Sequence, residues 1–209
     1  MKLHKSIKHA ITLVLSAFLL IAPFMIFPQA KDYDDTARAN NVCVMNVEYG
    51  EAVFCKNADE KVAPGPSAKI LAAVLAFEHY AGNEEKPVTI TPAALENIYG
   101  GVVINLKAGD TLRAVDLIYA MVVSGASDAA NAIAIDVAGS VTAFTAMMNK
   151  KARELGATST AYANPTGLDS RGAYTTARDT AVIACYARKN QQYPVKLLRN
   201  YQADTEKLS

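Results

Sequence analysis

The sequence lacks the residue patterns of several functional classes. Among its 209 residues are no tryptophan, three histidines and three cysteines, and Cys43, Cys55 and Cys185 match no metal-ligand spacing. Neither a metal centre nor a cofactor is therefore predicted. Positive charge is not in excess either. Residues 1–30 contain three lysines and no acidic residue, and setting them aside leaves 18 basic and 20 acidic side chains, a net charge of −2. This balance excludes the basic surface that nucleic-acid binding requires.

The long uncharged stretch lies near the start of the chain. Lysines precede an apolar run from Ala10 to Ala22, which is the order of a secretory signal. We predict a signal peptide over residues 1–30, cleaved after Ala30 or as late as Ala39, and hence an extracytoplasmic protein of the cell envelope or a secreted one. The alternative is an uncleaved leader, just long enough to anchor the chain in a membrane.

The whole chain, with 51% hydrophobic and 20% charged residues, has the composition of a globular protein, and beyond the leader we predict one domain. We predict a β-hairpin over Asn41–Lys56 and a short strand over Val88–Ile90. Capping residues and glycines delimit the helices. The predicted helices are Ser67–Tyr80, one opened by Thr91-Pro92 and ended by Gly100-Gly101, Ala114–Val123, Ser127–Val137, Val141–Leu155 and Thr176–Ala187, the last with a capping box of Thr176 and Asp179.

Two of the cysteines flank the predicted hairpin turn. Cys43 and Cys55 are either cross-strand neighbours, able to pair in an exported protein, or small buried thiols like Cys185. The pattern alone leaves both interpretations open.

A proline-rich turn leads into the most apolar helix. Ile70–Phe77 is apolar at nearly every position, which predicts a helix buried on most sides. Lys69 is then a cation at the positive end of a buried helix, where the helix dipole and desolvation both disfavour its charge. Either the stem packs while the amine reaches water, or Lys69 has a functional role.

Several segments of the chain resemble, in the same order along the sequence, segments of one protein family. The segments are Asn57–Lys61, Gly109–Leu112, Asp128–Asn131, Asn164–Asp169 and Tyr174–Asp179. They resemble the serine-type D-alanyl-D-alanine carboxypeptidases, the low-molecular-mass penicillin-binding proteins of the peptidase S11 type. The resemblance implies an α+β, β-lactamase/transpeptidase-like domain, here helix-rich with an N-terminal hairpin. It also implies removal of the terminal D-alanine from peptidoglycan stem peptides, by a serine nucleophile and a lysine base in the motifs S-x-x-K, S-x-N and K-T-G.

The first motif is altered at its nucleophile. Lys69 matches the family lysine, which places Pro66 in the serine slot. Ser67 is adjacent, but an offset of two residues turns it about 200° from Lys69 around a regular helix. It can substitute only if the first turn is irregular; otherwise we expect Ser67 to cap the helix.

The other two motifs are altered or absent. Gly125-Ala126-Ser127 occupies the S-x-N slots, with Ser124 one residue upstream as a substitute hydroxyl, and no Lys-Thr-Gly occurs. We therefore expect residues 41–209 to form a truncated domain that lacks the C-terminal sheet strands and is inactive. Non-catalytic binding of stem peptide or of a partner, or a decayed gene fragment, are the alternatives. Without those strands, no sheet would cover one side of the helix Ile70–Phe77, so we expect an exposed apolar face there unless a partner chain completes the sheet.

Overall fold

A computed structural model describes residues 38–190, and the predicted hairpin is the first element in it. Strand β1 (Val42–Met45) pairs antiparallel with β2 (Ala52–Lys56). The side chain of Asn46 organises the turn, because its Oδ1 accepts hydrogen bonds from the backbone N–H groups of residues 48 and 49 at 2.8 and 3.2 Å. Cys43 lies directly opposite Cys55, so the cross-strand interpretation is confirmed.

A second small sheet follows, and the sequence predicted only half of it. Strand β3 (Pro87–Thr89) pairs antiparallel with β4 (Thr111–Arg113), a segment expected only to lead into a helix. The helix predicted from Thr91-Pro92 is wrong: the chain makes one 3₁₀ turn, Pro92–Leu95, and then returns to an extended conformation. Asn97 then adopts φ +55°, a left-handed conformation in which a right-handed helix cannot continue.

Residues 38–190 contain five α-helices, and all five were predicted to within about two residues at each end. They are α1 (Ala68–Tyr80), α2 (Ala114–Val123), α3 (Ser127–Ala138), α4 (Val141–Glu154) and α5 (Ala177–Lys189). The expected stops are present, since Gly139 ends α3 at φ +77°. The predicted capping box forms only in part. Thr176 accepts from the Asp179 N–H at 3.0 Å, but the Asp179 carboxylate instead accepts from Ser159 and Thr160, both at 2.7 Å.

Helix α1 lies at the centre of the core and contacts α2, α3, α4 and α5. Ten of its thirteen residues are buried, so the expectation that one side would be uncovered is wrong. Exposed apolar side chains lie on the hairpin instead, where Val44 and Val53 are 48% and 47% exposed. The fold is thus a helix-rich α+β arrangement with the apolar helix inside it.

The predicted signal peptide lies outside the described residues. Within residues 38–190, no single helix is long and apolar enough to cross a membrane, and only α3 and α4 taken together, with a bend of 84° between them, reach the length and composition of a span. The same residues contain no cluster of three or more His, Cys, Asp or Glu side chains suited to a metal ion.

Candidate active site

Lys69 lies in the first turn of α1, inside the protein. It is 8% exposed, and its Nζ donates a hydrogen bond to the backbone carbonyl of Thr166. The amine therefore does not reach water, unlike in the interpretation where only the stem packs. Burial lowers the pKa of Lys69 below its usual value, because desolvation disfavours the ammonium form. A buried lysine of this kind can accept a proton.

The loop that holds Lys69 is organised by one side chain, Asn164. Its Oδ1 accepts from the Thr166 hydroxyl and from the Gly167 N–H, both at 2.8 Å. Its Nδ2 donates to the Leu168 carbonyl at 3.0 Å and to the Ser170 hydroxyl at 2.9 Å. These four bonds fix the conformation in which the Thr166 carbonyl faces Lys69.

The same loop packs directly on the turn that precedes α1. Gly167 has φ +74°, and a Cβ at this position would lie 1.8 Å from the Gly65 carbonyl oxygen and 3.2 Å from the nitrogen of Pro66. Only glycine allows two backbones to approach this closely. The sequence motifs predicted no role for Asn164, Thr166 or Gly167. The segment 164–169 does resemble the family, and this resemblance is the sequence feature that could have pointed to them.

Pro66 is exposed at the tip of this turn, one turn before Lys69. Proline has no hydroxyl and no backbone N–H, so the residue predicted for the nucleophile slot offers neither an attacking oxygen nor a hydrogen-bond donor.

Ser67 does not take over the position. The first turn is indeed irregular, a 3₁₀ turn over Gly65–Ser67 in which Gly65 has φ +52°. Nevertheless, the Ser67 hydroxyl donates to the Pro64 carbonyl at 2.6 Å and makes no capping bond to α1. The expected capping role is wrong, because Ser67 has helical backbone angles (φ −63°, ψ −21°), whereas a capping residue has non-helical ones. Ser67 borders a cleft of about 480 Å³ next to the hairpin, which we call the hairpin cleft; Cys43 and Thr175 also line it.

The residues predicted to occupy the S-x-N slots lie at the start of α3. Gly125 adopts φ +74° and carries no side chain to donate a proton. Ser127 is fully buried, and its Oγ has no hydrogen-bond partner within the described part of the chain. That Oγ lies against Gly101, where an added Cβ would stand 2.7 Å away. Ser124 is exposed and ends α2.

A crevice of about 830 Å³ adjoins the Lys69-binding loop. Its walls are the 3₁₀ turn and the residues after it, the ends of α3 and α4, and the loop at 163–170. Asn131, 3% exposed, lines it; the Nδ2 donates to the Glu96 carbonyl at 3.1 Å, whereas the Oδ1 has no partner among the described residues. A space of about 310 Å³ lies on the other side of the loop, beside Pro64 and Ala68. Thr166, whose carbonyl binds Lys69, lines the larger of these two cavities, whereas Lys69 and Pro66 line neither of them.

The arrangement of helices around the buried lysine is that of the penicillin-binding DD-peptidases, with their β-lactamase-like fold. The crystal structure of the D-alanyl-D-alanine carboxypeptidase DacD from Francisella tularensis superposes with a TM-score of 0.68 at 34% identity, over 75% of this chain and 38% of that one. Penicillin-binding protein 5 from Haemophilus influenzae superposes with a TM-score of 0.70 at 25% identity, over 76% of this chain and 47% of that one.

The family model of the D-alanyl-D-alanine carboxypeptidases, peptidase S11, matches residues 28–208, and the chain belongs to this family. Among curated relatives, the carboxypeptidase DacC of Escherichia coli K12 is 32% identical over 180 residues, which are 80% of this chain and 44% of that protein. DacF of Bacillus subtilis 168 is 30% identical over 147 residues, 70% of this chain and 38% of that protein. The chain thus spans less than half the length of these relatives.

Proposed function

We propose that this protein binds peptidoglycan stem peptides ending in D-alanyl-D-alanine and does not hydrolyse them. The family supports the ligand class, and the basic and apolar leader supports a location outside the cytoplasm. One residue carries the inference that hydrolysis is lost: Pro66, in the slot one turn before Lys69.

Acyl transfer requires a hydroxyl nucleophile, a base that takes its proton and donors that stabilise the oxyanion. Lys69 remains suited to the base role, because burial lowers its pKa. However, its partner is the Thr166 carbonyl rather than a hydroxyl. Loss of the nucleophile from a catalytic unit of this kind costs on the order of 10⁶ in rate. We therefore expect no measurable turnover.

Binding of a peptide requires a suitable cavity but no nucleophile, and the structure contains such a cavity. The crevice of about 830 Å³ has the volume of a small-ligand site. Asn131, Asn164 and Ser170 place amide and hydroxyl side chains in its lining. A few polar groups of this kind orient a ligand in such a site, which, together with the family, supports a peptide ligand.

The test measures covalent labelling and binding separately on the full chain. Labelling with a fluorescent penicillin and release of D-alanine from a pentapeptide are both expected to be absent. Binding of a peptide ending in D-Ala-D-Ala, followed by calorimetry, should be saturable, with a matched peptide ending in L-Ala-L-Ala as the control. Absence of any difference between the two peptides would overturn the binding function, and D-alanine release would overturn the loss of hydrolysis.

Matched variants identify the nucleophile if labelling does occur. Pro66→Ala restores the backbone N–H alone, and Pro66→Ser restores the N–H and the hydroxyl. We expect neither to release D-alanine, because Gly125 still supplies no hydroxyl for the leaving group. Labelling of the unmodified chain that disappears in Ser67→Ala or in Ser124→Ala would assign the nucleophile to that serine and refute the role given to Pro66.

A further inference from the structure

Cys43 and Cys55 face each other across the hairpin. They are direct cross-strand partners in the β1–β2 ladder, and their Sγ atoms are 3.2 Å apart. Directly opposed residues in an antiparallel pair have Cα atoms about 4.5–5.5 Å apart. This separation lies within the range of about 4.4–6.8 Å that a disulfide spans. The backbone therefore already has the spacing of a disulfide, and side-chain rotation alone brings the sulfurs together.

The two thiols lie where the hairpin is fastened to α5. Arg178, in the first turn of α5, donates to both oxygens of Asp59 at 2.6 and 2.9 Å, and its own N–H donates to the Ala58 carbonyl at 3.0 Å. Asp59 follows β2 by three residues. A disulfide between the two thiols would therefore lie close to the contacts that join the hairpin to α5.

The two thiols differ in accessibility. Cys55 is exposed, whereas Cys43 is partly buried and borders the hairpin cleft. Burial, and then the neighbouring Cys55, raise the pKa of Cys43 to about 11; Asp59 on the loop after β2 adds to this, and Arg178 on α5 opposes it. Cys55 is thus the thiol that a reagent in solution meets first.

We propose that Cys43 and Cys55 form a reversible dithiol–disulfide site that locks β1 to β2. The oxidant is a small disulfide such as oxidised glutathione. The Cys55 thiolate attacks it, forms a mixed disulfide and releases one small thiol. The Cys43 sulfur then attacks the Cys55 sulfur, loses its proton to solvent and expels the second small thiol. The protein loses two protons and two electrons, and the small disulfide takes up both and is reduced to two thiols.

Closing the bond constrains the unfolded chain. The cysteines are 12 residues apart in sequence, and a disulfide that closes a loop of about this length lowers the conformational entropy of the unfolded chain enough to stabilise the folded protein. We expect the oxidised protein to melt on the order of 5–10 °C above the reduced protein. This site is independent of peptide binding, so it can be tested without a ligand.

The test oxidises the folded full chain with a glutathione buffer, alkylates the remaining thiols and maps the products by mass spectrometry. We expect loss of the mass of two hydrogen atoms, a Cys43–Cys55 linked peptide and an alkylated Cys185. Cys185→Ser is the matched control and should close normally, whereas Cys43→Ser should stop at the mixed disulfide on Cys55. In guanidinium, Cys185 should enter disulfides as well, because the three thiols then compete without structural guidance.

Kinetics give a second readout. Resolution of the mixed disulfide should accelerate about tenfold per pH unit between about pH 7 and 9, since the Cys43 thiolate fraction rises below its pKa. Alkylation of both Cys43 and Cys55 after oxidation of the folded chain would overturn the proposal. Disulfides to Cys185 in the folded chain, or equal melting temperatures of the oxidised and reduced forms, would overturn it too.

Discussion

Replacing Gly167 by alanine tests how tightly the Lys69-binding loop packs on the Pro66 turn. Gly167 has φ +74°, and the added Cβ would stand 1.8 Å from the Gly65 oxygen and 2.5 Å from the Gly65 carbon. Both atoms belong to backbone, so no flexible side-chain end can move aside. The substitution must strain the residue itself and also separate two segments of the site.

The two costs can be estimated separately. An alanine in the left-handed region costs about 1–2 kcal/mol, and forcing extra volume into a close-packed contact costs about 1–3 kcal/mol more. Gly139→Ala is the matched control, because Gly139 has φ +77° but no atom within 4 Å of the added Cβ. The control should lose only the first amount, and Gly167→Ala should lose about 2–5 kcal/mol in all.

Urea and thermal unfolding, followed by circular dichroism, measure the difference. For a chain of this size, 1 kcal/mol corresponds to about 2–4 °C in melting temperature. Gly167→Ala should therefore melt several degrees below Gly139→Ala. Equal melting temperatures for the two variants would refute the close packing of the loop on the turn.

Substitutions at four further positions test the site. Lys69→Met should flatten the pH dependence of the free energy of unfolding. The pKa of Lys69 in the folded protein lies below its usual 10.5, so the unfolded chain binds more protons and the stability of the unmodified protein rises towards pH 10.5. An unchanged slope in the Lys69→Met variant would contradict this. Ser127→Ala should leave the melting temperature unchanged or raise it, because the buried hydroxyl has no partner among the described residues. Ser67→Ala should lower the free energy of unfolding by about 1 kcal/mol, because it removes the hydrogen bond to Pro64. A Ser127→Ala variant less stable than the Ser67→Ala variant would be evidence against both predictions. Asn164→Ala should lose about 2–4 kcal/mol with four hydrogen bonds, and Asn164→Asp, which retains the acceptor, should lose less in the same unfolding assay.

Local signals predicted most of the helices. Gly139 does end α3, and the Thr176 side chain does cap α5, because capping bonds act within one turn and leave a pattern in neighbouring residues. The same signals failed at Thr91-Pro92, where a threonine and a proline open only a single 3₁₀ turn. A start signal does not sustain a helix when the residues after it leave the helical conformation, as the extended Glu96 and the left-handed Asn97 do here.

By itself, the sequence determined the family and predicted that Pro66 occupies the slot of the family's serine, since both depend on residue identity at fixed spacings. Only the tertiary structure decided the partner of Lys69, the Thr166 carbonyl 97 residues away in the chain. It also placed the Ser67 hydroxyl on Pro64 and buried the Ser127 hydroxyl without a partner. These contacts depend on how distant segments pack, and a close backbone approach such as that of Gly167 to Gly65 follows from the whole core rather than from any local pattern.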